Sequence, residues 1–251
     1  MRDHTSELRL AEVLVETTNT LDDDFDPELY LNRVAGHCVE LLDASAAGLI
    51  FQADGAPAVT AGGHPRDLAL GLLGVQQSGG PCVESLGTGL PVEPVRLTAG
   101  EPRARWPEFT ALALRQGIGV TYTIPLRQRE TLLGALNVFL PEAAKMPRPD
   151  QELRLARAIA DAAAVGLHNH RAYTEYRTLA TQLQGALTSR VRIEQAKGVL
   201  AERWHTGVDE AFEALRRYAR RERLVMDLVA TELIKGTLDD AVLRDDWSEP
   251  S

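Results

Sequence analysis

The sequence predicts an α+β fold: an antiparallel sheet with flanking helices, then a long coiled-coil helix, then a C-terminal three-helix module. Three observations predict it. Short apolar runs bounded by turn signals alternate with amphipathic helical stretches through the first 140 residues or so. A heptad pattern then begins near Pro149 and holds to Leu187. Charge is also unevenly placed. The whole chain of 251 residues carries −9, yet Gln184 to Lys235 holds ten basic and eight acidic residues, leaving −11 elsewhere.

Taken in order, residues 5–20 read as a helix with Leu8, Ala11, Val15 and Thr18 on one stripe and Leu10 and Leu14 beside it. Asp26 and Pro27 are an N-cap and a first helical residue, followed by a face of Leu31, Val34, Cys38, Leu41 and Leu42. "AAGLIFQADGAPAVTAGG" reads as two strands joined through Asp54-Gly55, a strong hairpin signal. Pro65 opens another helix, and "GGPCVESLGTGLPV" gives a glycine-rich turn, a short helix and the start of a strand. "WPEFTALALRQG" is a helix stopped by Gly117, and "IGVTYTIPLRQ" and "TLLGALNVFLP" are strands whose join, Arg127 to Glu130, lacks a glycine. Alternating helices and strands in this order favour an antiparallel sheet with helices segregated around it.

The long helix places Leu155, Ile159, Ala162, Gly166, Asn169, Tyr173, Tyr176, Ala180, Leu183 and Leu187 at spacings of four and three. A second stripe, Leu153, Ala156, Ala160, Ala163 and Leu167, accompanies only its first half. Two stripes imply packing within a bundle, and the single stripe beyond implies a two-stranded stalk. The helix continues through "SRVRIEQAKGVLAERW" until "HTG" breaks it. "VDEAFEALRRYARRER" is a second helix, with acids in its first turn and arginines in its last, as the macrodipole favours. "LVMDLVATELIKG" is a third, stopped by Gly236, and the tail from 237 to 251 is acidic.

Composition narrows the function. Hydrophobic residues make up 44% of the chain, enough for a real core, and no apolar run approaches the ~20 residues of a membrane span. The charged, amphipathic N-terminus has no signal-peptide apolar block, so a cytoplasmic location without membrane attachment is expected. Cys38 and Cys82 form no metal or redox spacing and read as free thiols. The histidines have no carboxylate partners at ligand spacing, so no metal is expected. There is no P-loop, GxSxG or HExxH, and the expectation is a non-enzyme without a cofactor.

The last segment resembles the ANTAR domain. "SRVRIEQAKGVLAERW", "DEAFEALRRYA" and "LVATELI" carry the likeness, from about Leu187 to Ile234. The upstream half resembles the GAF fold, through "GPCVESLGTGLPV", "RWPEFTALALRQGI" and "IPLRQRETLLGALNVF". The domain reading is thus 1–168 GAF-like sensor, 150–187 connecting coiled coil, 187–236 ANTAR-like and 237–251 tail. Together these resemble the GAF–ANTAR regulators of actinobacteria. The resemblance implies an RNA-binding transcription antiterminator: a homodimer that holds two small stem-loops in nascent RNA and excludes the terminator hairpin. It also implies a small-molecule effector in the GAF-like half. Three departures stand out, one being Ala219-Arg220 where the family frequently has a polar pair. His205-Thr206-Gly207 replace the family's usual glycine and serine cap after the first ANTAR helix, and Arg223 stands where an asparagine is usual. A sensory or scaffold dimer whose last helices bind a protein is the alternative.

Read physically, an RNA site needs cations for phosphates and room for bases or ribose to approach. The candidates are Arg190, Lys197, Gly198, Arg203, Arg216, Arg217 and Arg220. Arg190 and Lys197 are seven apart on one helix face, with Glu194 between them. Arg216, Arg220 and Arg223 recur at four and three, flanked by Arg217 and Arg221, with Phe212, Leu215 and Ala219 read as the opposite, core face. Gly198 costs its helix about 1 kcal/mol relative to alanine. Either RNA comes close there, or a neighbouring helix packs against it. Trp204 reads as core and Tyr218 as either core or a stacking platform. Cys82 is a candidate sensor-loop thiol, with a buried structural role as the alternative.

Overall fold

The computed structural model describes residues 2–52, 59–148 and 151–244. The chain divides into two compact units, Met1–Thr174 and Glu175–Ser251, each with its own core.

The first unit has a five-stranded sheet in the order β2-β1-β5-β4-β3. Its strands are β1 (Ala46–Gln52), β2 (Val59–His64), β3 (Val92–Arg96), β4 (Ile118–Gln128) and β5 (Thr131–Pro141). Every neighbouring pair is antiparallel. The Asp54-Gly55 turn lies outside the described residues, although the β1–β2 pairing it was read to make is present. The β4–β5 turn needs no glycine because Arg129 itself adopts a left-handed φ of 54°.

Alternation along the strands sorts two cores. On one face Leu49, Tyr122, Ile124, Leu136 and Val138 pack against α2 (Pro27–Leu42) and the first turns of α7 (Glu152–Trp204). On the other, Ala46, Ile118, Ala135 and Phe139 pack against α3 (Arg66–Gly74), α4 (Pro81–Thr88) and α6 (Pro107–Arg115). α5 (Gly100–Arg105) precedes α6. Gly134 is required at the centre: a Cβ there would run into the carbonyl oxygen of Ile50 on the neighbouring strand.

Asp26 caps α2 as read, its carboxylate accepting from the Glu28 and Leu29 amides at 2.8 and 3.1 Å. The second stripe on α7 (Leu153, Ala156, Ala160, Ala163, Leu167) is buried throughout. α1 (Arg2–Thr18) differs from its sequence reading. Val13 and Thr17 form its buried side, whereas Leu8 and Val15 are exposed. The expected stripe is therefore the outer one. Hydrophobic spacing marks both faces of this helix, and tertiary contacts fix which one turns in: the buried Tyr30 hydroxyl donates to the Thr17 carbonyl at 2.8 Å. Arg9 binds Glu40 of α2 through two 3.0 Å contacts, and His37 of α2 meets Glu16 at 3.2 Å.

In the second unit, the end of α7 packs with α8 (Val208–Arg221), α9 (Met226–Lys235) and a short α10 (Asp240–Arg244). The core is Ala196, Leu200, Trp204, Ala211, Ala214, Leu215, Ala219, Val229, Ala230 and Leu233. Leu238 and Leu243 join it, so residues read as acidic tail supply part of the packing. The Arg244 guanidinium covers the Trp204 ring at 5.5 Å.

Candidate RNA interface

Two left-handed residues shape the module. α7 ends at His205, φ 55°, and the Thr206 amide reaches back to the Ala201 carbonyl at 3.1 Å. α8 ends similarly: Arg223 has φ 57°, and the Leu224 amide donates to the Ala219 carbonyl at 2.8 Å. This is the backbone turn that glycine or asparagine usually makes. The departures at 205 and 223 therefore change the side chain and keep the turn. Gly207 precedes α8, and its amide donates to Glu210 at 2.9 Å. The Thr206 hydroxyl donates to the same carboxylate. These bonds, Thr206 first, hold the Glu210 carboxyl below its ordinary range.

Lys197 is the best-positioned cation. Its side chain is only 15% exposed. The ammonium lies 3.0 and 3.1 Å from the Glu194 carboxylate oxygens and 5.2 Å from the centre of the Phe212 ring. Lys197 therefore bridges α7 and α8. Phe212 is not core, contrary to its sequence reading. It is half-buried at the edge of the module, outside the core cluster, because α8 turns Ala211, Ala214 and Leu215 inward instead.

The α8 arginines spread over its outer half. Arg216 pairs with Glu213 at 3.2 Å, and Arg217 donates to the Glu213 carbonyl at 3.4 Å. Arg221 pairs with Glu222 at 2.8 Å and lies 5.1 Å from the Tyr218 ring centre. Tyr218 is half-buried against the core. Arg203 is exposed near the end of α7. Arg190, Arg220 and Arg223 are exposed and make no side-chain ion pair or hydrogen bond among the described residues. The acids in these pairs are about half exposed. Such pairs contribute roughly 0–1 kcal/mol, so a phosphate can replace the carboxylate at little cost. Arg192 is different in role. It reaches Asp227 of α9 at 2.7 Å and ties two helices together. The sequence signal for that pair was only two opposite charges thirty-five residues apart, too little to find it.

Gly198 is exposed, and a Cβ built there would meet nothing within 4 Å. Packing against α8 or α9 is therefore not what the glycine serves.

Cys82 is fully buried in the first unit. Its amide donates to the Gln76 side chain at 2.7 Å, and burial pushes its thiol up to about 12. Burial and a raised thiol disfavour the thiolate that a reactive cysteine needs. A surface cavity of about 350 Å³ opens elsewhere in this unit, between α3 and α6, lined by Asp67, Leu68, Gly71, Leu72, Leu112 and Gln116. No helix among the described residues is long and apolar enough to cross a membrane.

The five-stranded antiparallel sheet with helices on both faces is a GAF-like α+β arrangement, here followed by a helical module. Residues 181–234 match the family model of the ANTAR domain, an RNA-binding antitermination module. The chain thus joins a GAF-like domain to an ANTAR domain. A comparison with curated proteins gives no match. Among solved structures, the GAF domain of a phosphoenolpyruvate-protein phosphotransferase from Coxiella burnetii is 17% identical, with TM-score 0.42, covering 67% of this chain and 98% of that one. An N-acylhomoserine lactone-dependent LuxR-family transcription factor from Burkholderia cenocepacia is 14% identical, with TM-score 0.48, covering 65% and 98%.

Proposed function

We propose that this chain is a signal-regulated transcription antiterminator. A homodimer binds paired stem-loops in nascent RNA and so prevents the terminator hairpin from forming. The observation that carries the reading is the cationic surface of the ANTAR domain, Lys197 with Arg190, Arg216, Arg217 and Arg220, standing on an independent core. Lys197, held beside Phe212, offers a fixed charge next to an aromatic ring, and single-stranded loops are gripped by such mixtures of phosphate contact and stacking.

The reading assigns no catalytic step and no cofactor. An effector acts in the GAF-like domain by binding one conformational state better than another. The cavity between α3 and α6 is large enough for a small molecule.

Binding of the full chain to a two-loop RNA and to a scrambled control, across a salt series, tests the proposal. Replacing Arg216 and Arg217 with alanine removes two phosphate contacts. The slope of log affinity against log salt should then flatten by about 1.4, at ~0.7 per contact on single strands. Both are exposed, so the fold should hold within about 0.5 kcal/mol. Equal affinity for scrambled RNA, or an unchanged slope, refutes the assignment and favours a protein partner for this surface.

A further inference from the structure

Past the end of the ANTAR match at residue 234, the chain turns back onto its own module. Gly236 has φ 73°, and the Thr237 and Leu238 amides both donate to the Glu232 carbonyl, at 3.0 and 3.2 Å. The Asp239 carboxylate accepts from the Ala241 amide at 2.9 Å at the start of α10. Leu238 and Leu243 fill the core, and α10 packs against α8. Arg244, the last residue of α10, lies over the ring of Trp204, the last residue of α7. These contacts fix where the following residues begin, close to the turn from α7 into α8.

Residues 245–251 read DDWSEPS and lie outside the described residues. Their sequence holds Asp245, Asp246 and Glu249 with no lysine or arginine, a charge of −3, and one aromatic residue, Trp247. The outer half of α8 has the opposite charge. Arg216, Arg217, Arg220 and Arg221 outnumber Glu213 and Glu222, and the Arg220 side chain makes no ion pair or hydrogen bond among the described residues. Length permits a contact. Arg220 is about 18 Å along α8 from Val208, at ~1.5 Å per residue. Seven extended residues span up to about 23 Å.

We propose that residues 245–251 dock on the arginine surface of α8 and compete there with RNA. The proposal rests on the RNA-binding reading above and adds a regulator of that surface. Charge and composition name this occupant. Closely spaced carboxylates with an indole offer the arginines what a single-stranded loop offers, anions and a ring to stack. Single exposed ion pairs are weak. Tethering offsets that weakness, because a short link holds the segment at a roughly millimolar effective concentration. Docking lowers the apparent RNA affinity by the share of chains it closes. A fivefold loss needs the docked form about four times as populated as the open one.

Fluorine NMR of the full chain carrying 5-fluorotryptophan tests the docking without RNA. Trp106 and Trp204 are buried, and Trp247→Phe identifies the third signal. That signal should stand apart from the signal of the free peptide DDWSEPS. It should move to the peptide position in a variant with Asp245→Asn, Asp246→Asn and Glu249→Gln, and in a second variant with Arg217→Gln and Arg220→Gln. A native signal already at the peptide position, or one that neither variant moves, overturns the docking. Two-loop RNA titrated into the native chain should release Trp247 to the peptide position. Deleting 245–251 should raise RNA affinity about five- to tenfold at low salt. RNA that binds while Trp247 stays displaced, or an affinity gain below about twofold, overturns the competition. If no RNA binds and Trp247 is displaced, the RNA reading fails and the competition with it, while the docked segment stands as a contact.

Discussion

Arg223 offers a test in which stability and binding move in opposite directions. Its φ of 57° puts a long side chain in a left-handed conformation at the end of α8. That conformation costs an L-residue roughly 1–2 kcal/mol. Glycine adopts it freely but has a freer unfolded chain, which returns roughly 0.4–1 kcal/mol of the gain. The side chain is exposed and forms no ion pair or hydrogen bond among the described residues, so no contact is lost with it. Arg223→Gly should therefore stabilise the module by about 0.5–1 kcal/mol. Amide hydrogen exchange on the full chain reads this locally. Amides in α8 and α9 that exchange only through opening of the module, such as those of Leu215 and Val229, should slow by a factor of roughly two to five. His205→Gly, at φ 55° on the end of α7, should give the same slowing without removing an arginine. If Arg223 faces RNA, its glycine variant also loses one phosphate contact and His205→Gly does not. Unchanged or faster exchange in both variants would refute the strain argument, because the same backbone turn recurs at both positions.

Other consequences follow from the packing. Leu243 is 1% exposed, and Leu243→Ala should cost the module about 2–5 kcal/mol in exchange-derived stability while amides of the sheet are unaffected. His37 is held below its ordinary 6.5, by desolvation first, with Glu16 opposing. The unfolded chain thus takes up that proton before the folded one does. The contribution is complete above pH 6.5 and is lost as pH falls from there through the lowered folded value. Denaturant titrations between pH 7.5 and 5 should show that decline, and His37→Gln should flatten it. Native Cys82 should resist iodoacetamide at pH 8 until denaturant is added. Rapid labelling of the folded protein would contradict its burial.

Much of the fold was legible because its signals are local. Asp26-Pro27 wrote the start of α2, alternation wrote the strands, and the paired stripes on α7 showed where that helix is covered and where it is not. What stayed hidden depended on tertiary choice. α1 has apolar residues on two sides, and only tertiary contacts, such as Tyr30 to the Thr17 carbonyl and Arg9 to Glu40, say which side turns in. Phe212 looked like core because aromatics usually are. The small residues Ala211 and Ala214 let α8 sit close to its neighbours and left the ring to Lys197 at the edge. Leu238 and Leu243 were lost in an acidic stretch too short to show periodicity. In the candidate interface, the cluster of arginines was plain from spacing alone. Which of them are paired was not, since Glu213 and Glu222 are near several in sequence and choose by geometry.

The cores on the two faces of the sheet and the core of the ANTAR module have no side chain in common. Damage should therefore sort into separate genetic classes. A substitution at Gly134 spoils the strand lattice while every residue that fills the helical module is still present. One at Leu215 does the reverse. Under the proposed function, a mutant hunt in a reporter strain ought to return one group blind to its cue and another unable to hold transcripts, and few alleles that do both.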